Sequence, residues 1–262
     1  MAKFIVLAII GFGLILGVFW QIKFYIGKKA LCECFSTANC LVFGIKGAGK
    51  DLIFNKAINS RAENCYANIP YNKELCTVRD ISDFSVYPNT YSSFLENDVK
   101  IVEKINKEKC DFYISDGGIF LPSQYSQDLV KRYPSFPIYY ALSRHLTNSN
   151  IHINSQYIGR VWDKLREQAG YFIKAVKTRK IFGCLITDFI IYDSYTTASS
   201  QMRPYKVTGL ITHSESRANK EDFESKHGLV KEYKIIQKIK DVNYDSRWGH
   251  KKVYGYNSPD TL

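Results

Sequence analysis

Residues 40–54 read CLVFGIKGAGKDLIF. Leu41, Val42 and Phe43 form a short apolar run, which reads as a buried strand. Gly44-Ile45-Lys46-Gly47-Ala48-Gly49-Lys50 follows at once, in the pattern G-x-x-x-x-G-K. After it, residues 51–60 read as a helix with Leu52, Ile53, Ala57 and Ile58 as its apolar positions. Strand, glycine-rich loop and helix in that order make a phosphate-binding P-loop. The glycines let successive backbone N–H groups turn inward around phosphate oxygens, and the helix N-terminus adds partial positive charge. Lys50 would reach the β- and γ-phosphates. The binding set read from the sequence is Gly44, Lys46, Gly47, Ala48, Gly49, Lys50, Asp51 and Leu52, with ATP as the ligand.

Asp51 departs from the motif, which places Ser or Thr after the lysine to bind Mg²⁺. A carboxylate is also a hard oxygen ligand for magnesium. It would repel the phosphates in the metal's absence, and it is equally a helix N-terminal acid. The metal shell needs a second acid at the end of a strand. Residues 110–116, CDFYISD, read as a buried strand ending in Asp116. Asp51 and Asp116 are therefore the expected Mg²⁺ ligands. Asp-Gly-Gly is also a common turn sequence. Gly117 stands where many ATPases carry a catalytic Glu, and Gln124 or Asp128 are the nearest substitutes.

A helix is expected from Pro137 through Leu142 to His145, followed by a core strand over residues 151–156, IHINSQ. Ligands of open parallel sheets bind beyond such strand ends. Gln156 is thus a candidate to orient water or sense the γ-phosphate. Arg144, Arg160 and Arg166 are candidate arginine fingers offered to a neighbouring subunit, with a structural role the alternative for each. His145 and His152 have no metal-ligand spacing with any cysteine. The seven cysteines include no CxxC pair and fit a reducing compartment, with Cys40 and Cys110 as buried thiols.

The N-terminal stretch 4–22, FIVLAIIGFGLILGVFWQI, carries no charge and is flanked by Lys3 and Lys23. Its length comes close to spanning a hydrocarbon core of about 30 Å. It reads as a single-pass transmembrane helix, with Trp20 and Tyr25 at the interface. Lys23, Lys28 and Lys29 follow it and place the C-terminal bulk in the cytoplasm. The chain carries a net charge of +11 in 262 residues. That suits an anionic partner, and equally a basic solvated surface.

The segments GIKGAGKDLIF, CYANIPY, FYISDGG, ALSRHLTNSNIHINSQ and GRVWDKLREQ together resemble the zonular occludens toxin family, over about residues 38–180. That family includes the assembly ATPases of filamentous phages. The resemblance implies an inner-membrane ATPase, related to hexameric DNA-translocating motors, that helps extrude single-stranded phage DNA as a coated filament. It also implies a homo-oligomeric ring and contacts with phage coat or secretion proteins. Lys50, Asp116, Gln156, Arg160 and Arg166 would be its catalytic residues. The chain departs from the pattern at Asp51, at Gly117 and in carrying its membrane helix at the N-terminus.

The expected architecture is an α/β P-loop NTPase with a mainly parallel sheet flanked by helices. A transmembrane helix precedes it (residues 1–30), the NTPase domain spans 31–195, and a charged, partly β extension occupies 196–262. Residues 65–69 add another strand and residues 91–107 an amphipathic helix. Residues 171–194 read as a hairpin or meander whose basic turn is Lys177-Thr178-Arg179-Lys180. Residues 213–231 read as a solvated helix or linker. The tail mixes Lys238, Lys240, Arg247, Lys251 and Lys252 with Trp248 and Tyr254. That suits single-stranded nucleic acid, or a partner-binding or disordered tail. The alternative to a motor is a nucleotide-gated membrane scaffold with little or no hydrolysis.

Overall fold

The computed structural model describes residues 2–72, 74–79, 110–132, 136–193, 198 and 232–242. Within them one mixed sheet of eight strands has the order β3-β2-β4-β5-β1-β6-β7-β8. Its strands are β1 (Cys40–Phe43), β2 (Cys65–Ala67), β3 (Cys76–Val78), β4 (Asp111–Ile114), β5 (Ile151–Ser155), β6 (Tyr171–Ile181), β7 (Cys184–Tyr192) and β8 (Glu232–Lys238). All pairings from β3 to β6 are parallel, and β6-β7-β8 continue antiparallel. β1 lies in the middle, in register with Ile153 on one side and Phe172 on the other through Leu41. A central parallel strand is covered on both faces, so it reads as a continuous apolar run rather than an alternating one.

The two faces bury separate clusters. Cys40 and Val42 point to one side with Ile53, Phe54 and Ala57 of α2 (Lys50–Arg61). Leu41 and Phe43 point to the other, against Phe136, Tyr139 and Tyr140 of a later helix, Phe136–Thr147, and against Trp162. Each fully buried side chain of this size stabilises the fold by roughly 1.5–3 kcal/mol.

A single long helix, α1 (Ala2–Thr37), precedes β1. Its C-terminal part belongs to the domain: Leu31, Cys34 and Phe35 are buried, and Phe35 stacks on Tyr113. Gly27 lies so close to β8 that a Cβ there would stand 2.1 Å from the Lys234 carbonyl oxygen. From residue 11 to Trp20 the helix carries no polar side chain, with Phe12, Leu14, Ile15, Val18 and Phe19 exposed. Among the described residues no helix is long and apolar enough to cross a membrane. Residues 4–10 of the expected span lie outside the side chains described.

The structure corrects the reading of residues 177–180. Lys177, Thr178, Arg179 and Lys180 lie within β6, paired with Asp188, Thr187, Ile186 and Leu185. The turn is Phe182-Gly183, with φ of 46° and 74°. Two positive φ values in a two-residue loop suit the twist of flanking antiparallel strands. The basic run is tolerated in a strand because Asp188 accepts from Arg179 at 2.5 Å and from Lys234 at 2.7 Å. Lys238 and Lys240 also belong to the sheet edge, on β8 and on the 3-10 turn Ile239–Asp241, rather than to a free tail. The expected helix at 91–107, the segment 213–231 and the tail from Arg247 lie outside the described residues.

A buried polar network closes the base of the sheet. Asp111 accepts from the Arg61 guanidinium and, through Oδ1, from the Asn150 N–H at 2.7 Å. His152, fully buried, accepts the Cys40 N–H at Nδ1 over 3.2 Å and places Nε2 3.3 Å from Asp111. This makes His152 a neutral imidazole with its proton on Nε2. Burial holds its pKa below the ordinary value of 6.5, against the pull of Asp111. Burial pushes Asp111 up, but the His152 hydrogen bond and the Arg61 charge outweigh it and hold the carboxyl below 3.8. Both groups bind fewer protons folded than unfolded over the relevant range. Their stabilisation is therefore present at higher pH and lost as pH falls, first below 6.5 for His152 and then below 3.8 for Asp111. The unfolding temperature should decline on acidification from pH 7 to pH 5, and Asp111→Asn should lose about 2 kcal/mol at pH 7 in denaturant titration, because Arg61 loses its buried carboxylate partner and keeps only the exposed Glu63. A flat midpoint across that pH range would contradict a neutral buried His152.

Candidate nucleotide site

β1 delivers Gly44 to the C-terminal edge of the sheet, and the chain turns through Ile45, Lys46 and Gly47 on the surface. Ala48 is buried and its N–H closes the turn on the Ile45 carbonyl at 3.1 Å. Gly49 has φ of 102° and caps α2. A Cβ at Gly49 would stand 2.2 Å from the Thr178 hydroxyl oxygen, and that hydroxyl donates to the Ala48 carbonyl at 2.9 Å. The hairpin β6-β7 thus supports the loop from beneath. The first intrahelical bond of α2 runs from the Ile53 N–H to the Gly49 carbonyl. The N–H groups of Lys50, Asp51 and Leu52 come before it and have no intrahelical acceptor, which leaves them free to take an anion. This is a P-loop.

Lys50 is buried, and its ammonium donates to the Ile45 carbonyl at 3.3 Å. Burial lowers its pKa, while Asp51 and Asp116 oppose that shift. Lys50, Asp51 and Asp116 are therefore electrostatic neighbours at the loop.

Asp51 is tied to three other elements. Its Oδ1 accepts from Asn154 Nδ2 at 2.7 Å and lies 3.0 Å from the Tyr71 hydroxyl and 3.4 Å from the Ser115 hydroxyl, one of which donates to it while the other donates within the pair. Tyr71 and Ser115 also share a short hydrogen bond. All three converge on one carboxylate oxygen, so among the described residues Oδ2 takes no bond. Asp116 follows β4 with φ of 53°, its N–H held by Asn154 Oδ1 at 2.9 Å. Burial, and then the charge of Asp51, raise the Asp116 pKa, with Lys50 opposing. Two neighbouring carboxylates beside a phosphate loop, one of them raised in proton affinity by burial and by the charge of the other, fit a divalent cation. Asp51 Oδ2 and Asp116 are the oxygens that would hold Mg²⁺, and the ion would offset the charge that Asp51 sets against the phosphates.

Three of the expected catalytic residues meet in one small cavity of about 50 Å³, lined by Asp116, Gln156 and Arg160 with Ser155. Gln156 follows β5, while Arg160 closes the 3-10 turn Ile158–Arg160 and lies 4.9 Å over the Tyr157 ring. Arg166 sits apart from that cavity, half-buried at the end of the short helix Asp163–Arg166. Arg144 donates to the Thr37 carbonyl at 3.0 Å and so caps α1. Gly117 has a packing reason: a Cβ there would stand 2.2 Å from Ile153 Cγ2. The helix it opens, Gly117–Phe120, lies directly on β5, and no acidic side chain fits at that position.

No protein-family model matches the chain, and no curated protein sequence matches it. Among solved structures, the N-terminal domain of zonular occludens toxin from Neisseria meningitidis is similar at 13% identity and a TM-score of 0.45, covering 79% of this chain and 97% of that one. The genome packaging NTPase of Sulfolobus turreted icosahedral virus 2, solved with AMP, is similar at 14% identity and a TM-score of 0.38, covering 62% of this chain and 94% of that one. A KaiC-like protein of Pyrococcus horikoshii is similar at 12% identity and a TM-score of 0.34, covering 60% and 80%. The nucleotide assignment rests on the loop and its neighbours in this chain.

Sequence reasoning missed Thr178, Tyr71, Ser115 and Asn154. Ser115 and Asn154 were visible as polar residues at the ends of apolar strands. Tyr71 and Thr178 reach the site only through tertiary packing. Gly117→Ala should cost about 1–3 kcal/mol through overpacking. The double variant with Ile153→Ala should recover part of that loss in the same denaturation assay, and additive losses would show that the two positions do not meet.

Proposed function

We propose that this chain is a membrane-anchored ATPase that drives assembly or export of a filamentous phage, working as a homo-oligomeric ring. The observation that carries the proposal is the P-loop with Lys50, Asp51 and Asp116 gathered around it. Lys50 would hold the β- and γ-phosphates. Bound Mg²⁺ would neutralise charge developing on the transferred phosphoryl group. Gln156 lines the cavity beside Asp116 and would orient the attacking water, while Arg160, which lines the same cavity, is the best placed of the three candidate arginines to act across a subunit boundary. The filamentous-phage role is drawn from the sequence segments that resemble the zonular occludens toxin family.

Anchoring is supported by the uncharged stretch 4–22 and by the exposed apolar side chains from Phe12 to Ile26 on α1, ahead of its contact with the domain. A helix that is apolar all round needs an apolar surrounding. The lysines at 23, 28 and 29 would hold the NTPase domain on the cytoplasmic side. A net charge of +11 favours single-stranded DNA or another polyanion as cargo.

One observation favours the scaffold as a second reading. Position 117, beside Asp116, has no room for a side chain, so no acid there can activate water. Phosphate release by the full chain in detergent, with and without single-stranded DNA, separates the two. The motor reading expects Mg²⁺-dependent release that DNA stimulates, reduced about a hundredfold or more in Lys50→Ala, as for loss of one catalytic electrostatic contact. Tight ATP binding without release, under every condition including DNA, would establish the scaffold instead.

A further inference from the structure

A second cavity, of about 570 Å³, lies away from the phosphate loop between α1, α2 and the β8 edge. Four lysines from three elements line it: Lys28 on α1, Lys56 on α2, and Lys238 and Lys240 at the end of β8. One acid, Asp241, faces them. Lys56 is half-buried and donates to the Ile236 carbonyl at 2.8 Å, with no carboxylate partner among the described residues. Burial and then the charge of Lys28 lower its pKa, so the lysines repel one another across the cavity. A cavity with a net charge of about +3 by this count, from separate elements held rigidly together, is arranged for an anion.

Its position selects the kind of anion. Gly27 packs against the β8 backbone, and this fixes Lys28 at the cavity mouth. Lys28 is six residues past Ile22, the end of the uncharged stretch, in the same unbroken helix. At about 1.5 Å per residue it stands roughly 9 Å beyond the hydrocarbon boundary, the depth of lipid headgroups.

We infer that this cavity is a headgroup site for an anionic phospholipid, in which Lys28, Lys56, Lys238 and Lys240 hold the phosphate. The inference rests on the anchored reading of α1. The lipid would seat the β8 edge against the bilayer and set the domain's orientation to the membrane, since α1 alone leaves it free to rotate about the helix axis. The required chemistry is a phosphate group of net negative charge; a free phosphate shares it but lacks the acyl chains that would bring it to this depth, and zwitterionic phosphatidylcholine lacks the net charge.

Cys184 lines the same cavity and supplies a native reporter. The experiment follows alkylation of Cys184 by peptide mass spectrometry in the full chain, held in detergent micelles doped with phosphatidylglycerol or phosphatidylcholine, or given inorganic phosphate at the same concentration. Phosphatidylglycerol should slow Cys184 alkylation, and phosphatidylcholine should not. Lys238→Gln with Lys240→Gln, both exposed and outside the nucleotide site, should weaken the phosphatidylglycerol effect about thirtyfold, at about fivefold per lysine near an anionic surface. Equal protection by inorganic phosphate, or protection by a single-stranded oligonucleotide and not by lipid, would overturn the lipid assignment. Alkaline extraction of membranes from expressing cells reads anchoring separately. A chain that resists extraction yet shows no lipid protection overturns the headgroup site alone, and a chain that is extracted overturns the anchored reading beneath it.

Discussion

One carboxylate oxygen, Oδ1 of Asp51, accepts from Asn154 at the end of β5 and from the linked hydroxyl pair of Tyr71, on a loop, and Ser115, at the end of β4. Through it the first turn of α2 is held against two strand ends and a loop at once. The phosphate loop needs that restraint because α2 starts with unpaired N–H groups and a left-handed glycine, a conformation that packing alone holds weakly. A serine or threonine at this position could bind metal, but its single oxygen could not at the same time accept from Asn154 and from the Tyr71–Ser115 hydroxyl pair. A carboxylate here can serve two functions: Oδ1 fastens the helix, and Oδ2 would remain for a metal.

The rest of the domain keeps those strand ends in place. Below them, Arg61, Asp111 and His152 lock the opposite end of α2 to β4 and β5, so the helix is fixed at both ends. Beside them, Thr178 of β6 supports the Ala48–Gly49 peptide. The antiparallel hairpin is thus part of the nucleotide site, as well as the bridge to β8 and α1. A nucleotide-dependent shift of the loop would be felt by Thr178, by its partner Thr187 on β7, and one strand further at β8. That chain of contacts joins the phosphate site to the edge where α1 docks.

Much of this was legible in residues 40–54, because a P-loop is local: the strand, the glycines and the lysine sit in one run. The parallel strands ending at Asp116 and Gln156 were also legible, since buried strands in such a sheet are short apolar runs with polar ends. The basic run at 177–180 misled because charge was taken as a sign of a turn. Asp188, on the neighbouring strand, neutralises Arg179 across the sheet, and nothing in the local sequence announces it. The same holds for Gly117, whose missing side chain reads as an absent catalytic acid in sequence and as a packing requirement against Ile153 in three dimensions.

The central claim is that Asp51 makes this phosphate loop depend on a divalent cation. Calorimetric titration of the full chain with ATP, first with Mg²⁺ and then with a chelator, tests it most directly. The account expects binding with Mg²⁺ and a loss of about a hundredfold or more without it, with Asp51→Ser binding ATP nearly as well in chelator as in Mg²⁺. ATP binding to the unaltered chain that is indifferent to the chelator would contradict it, because the carboxylate at position 51 would then carry no metal and exert no repulsion on the phosphates.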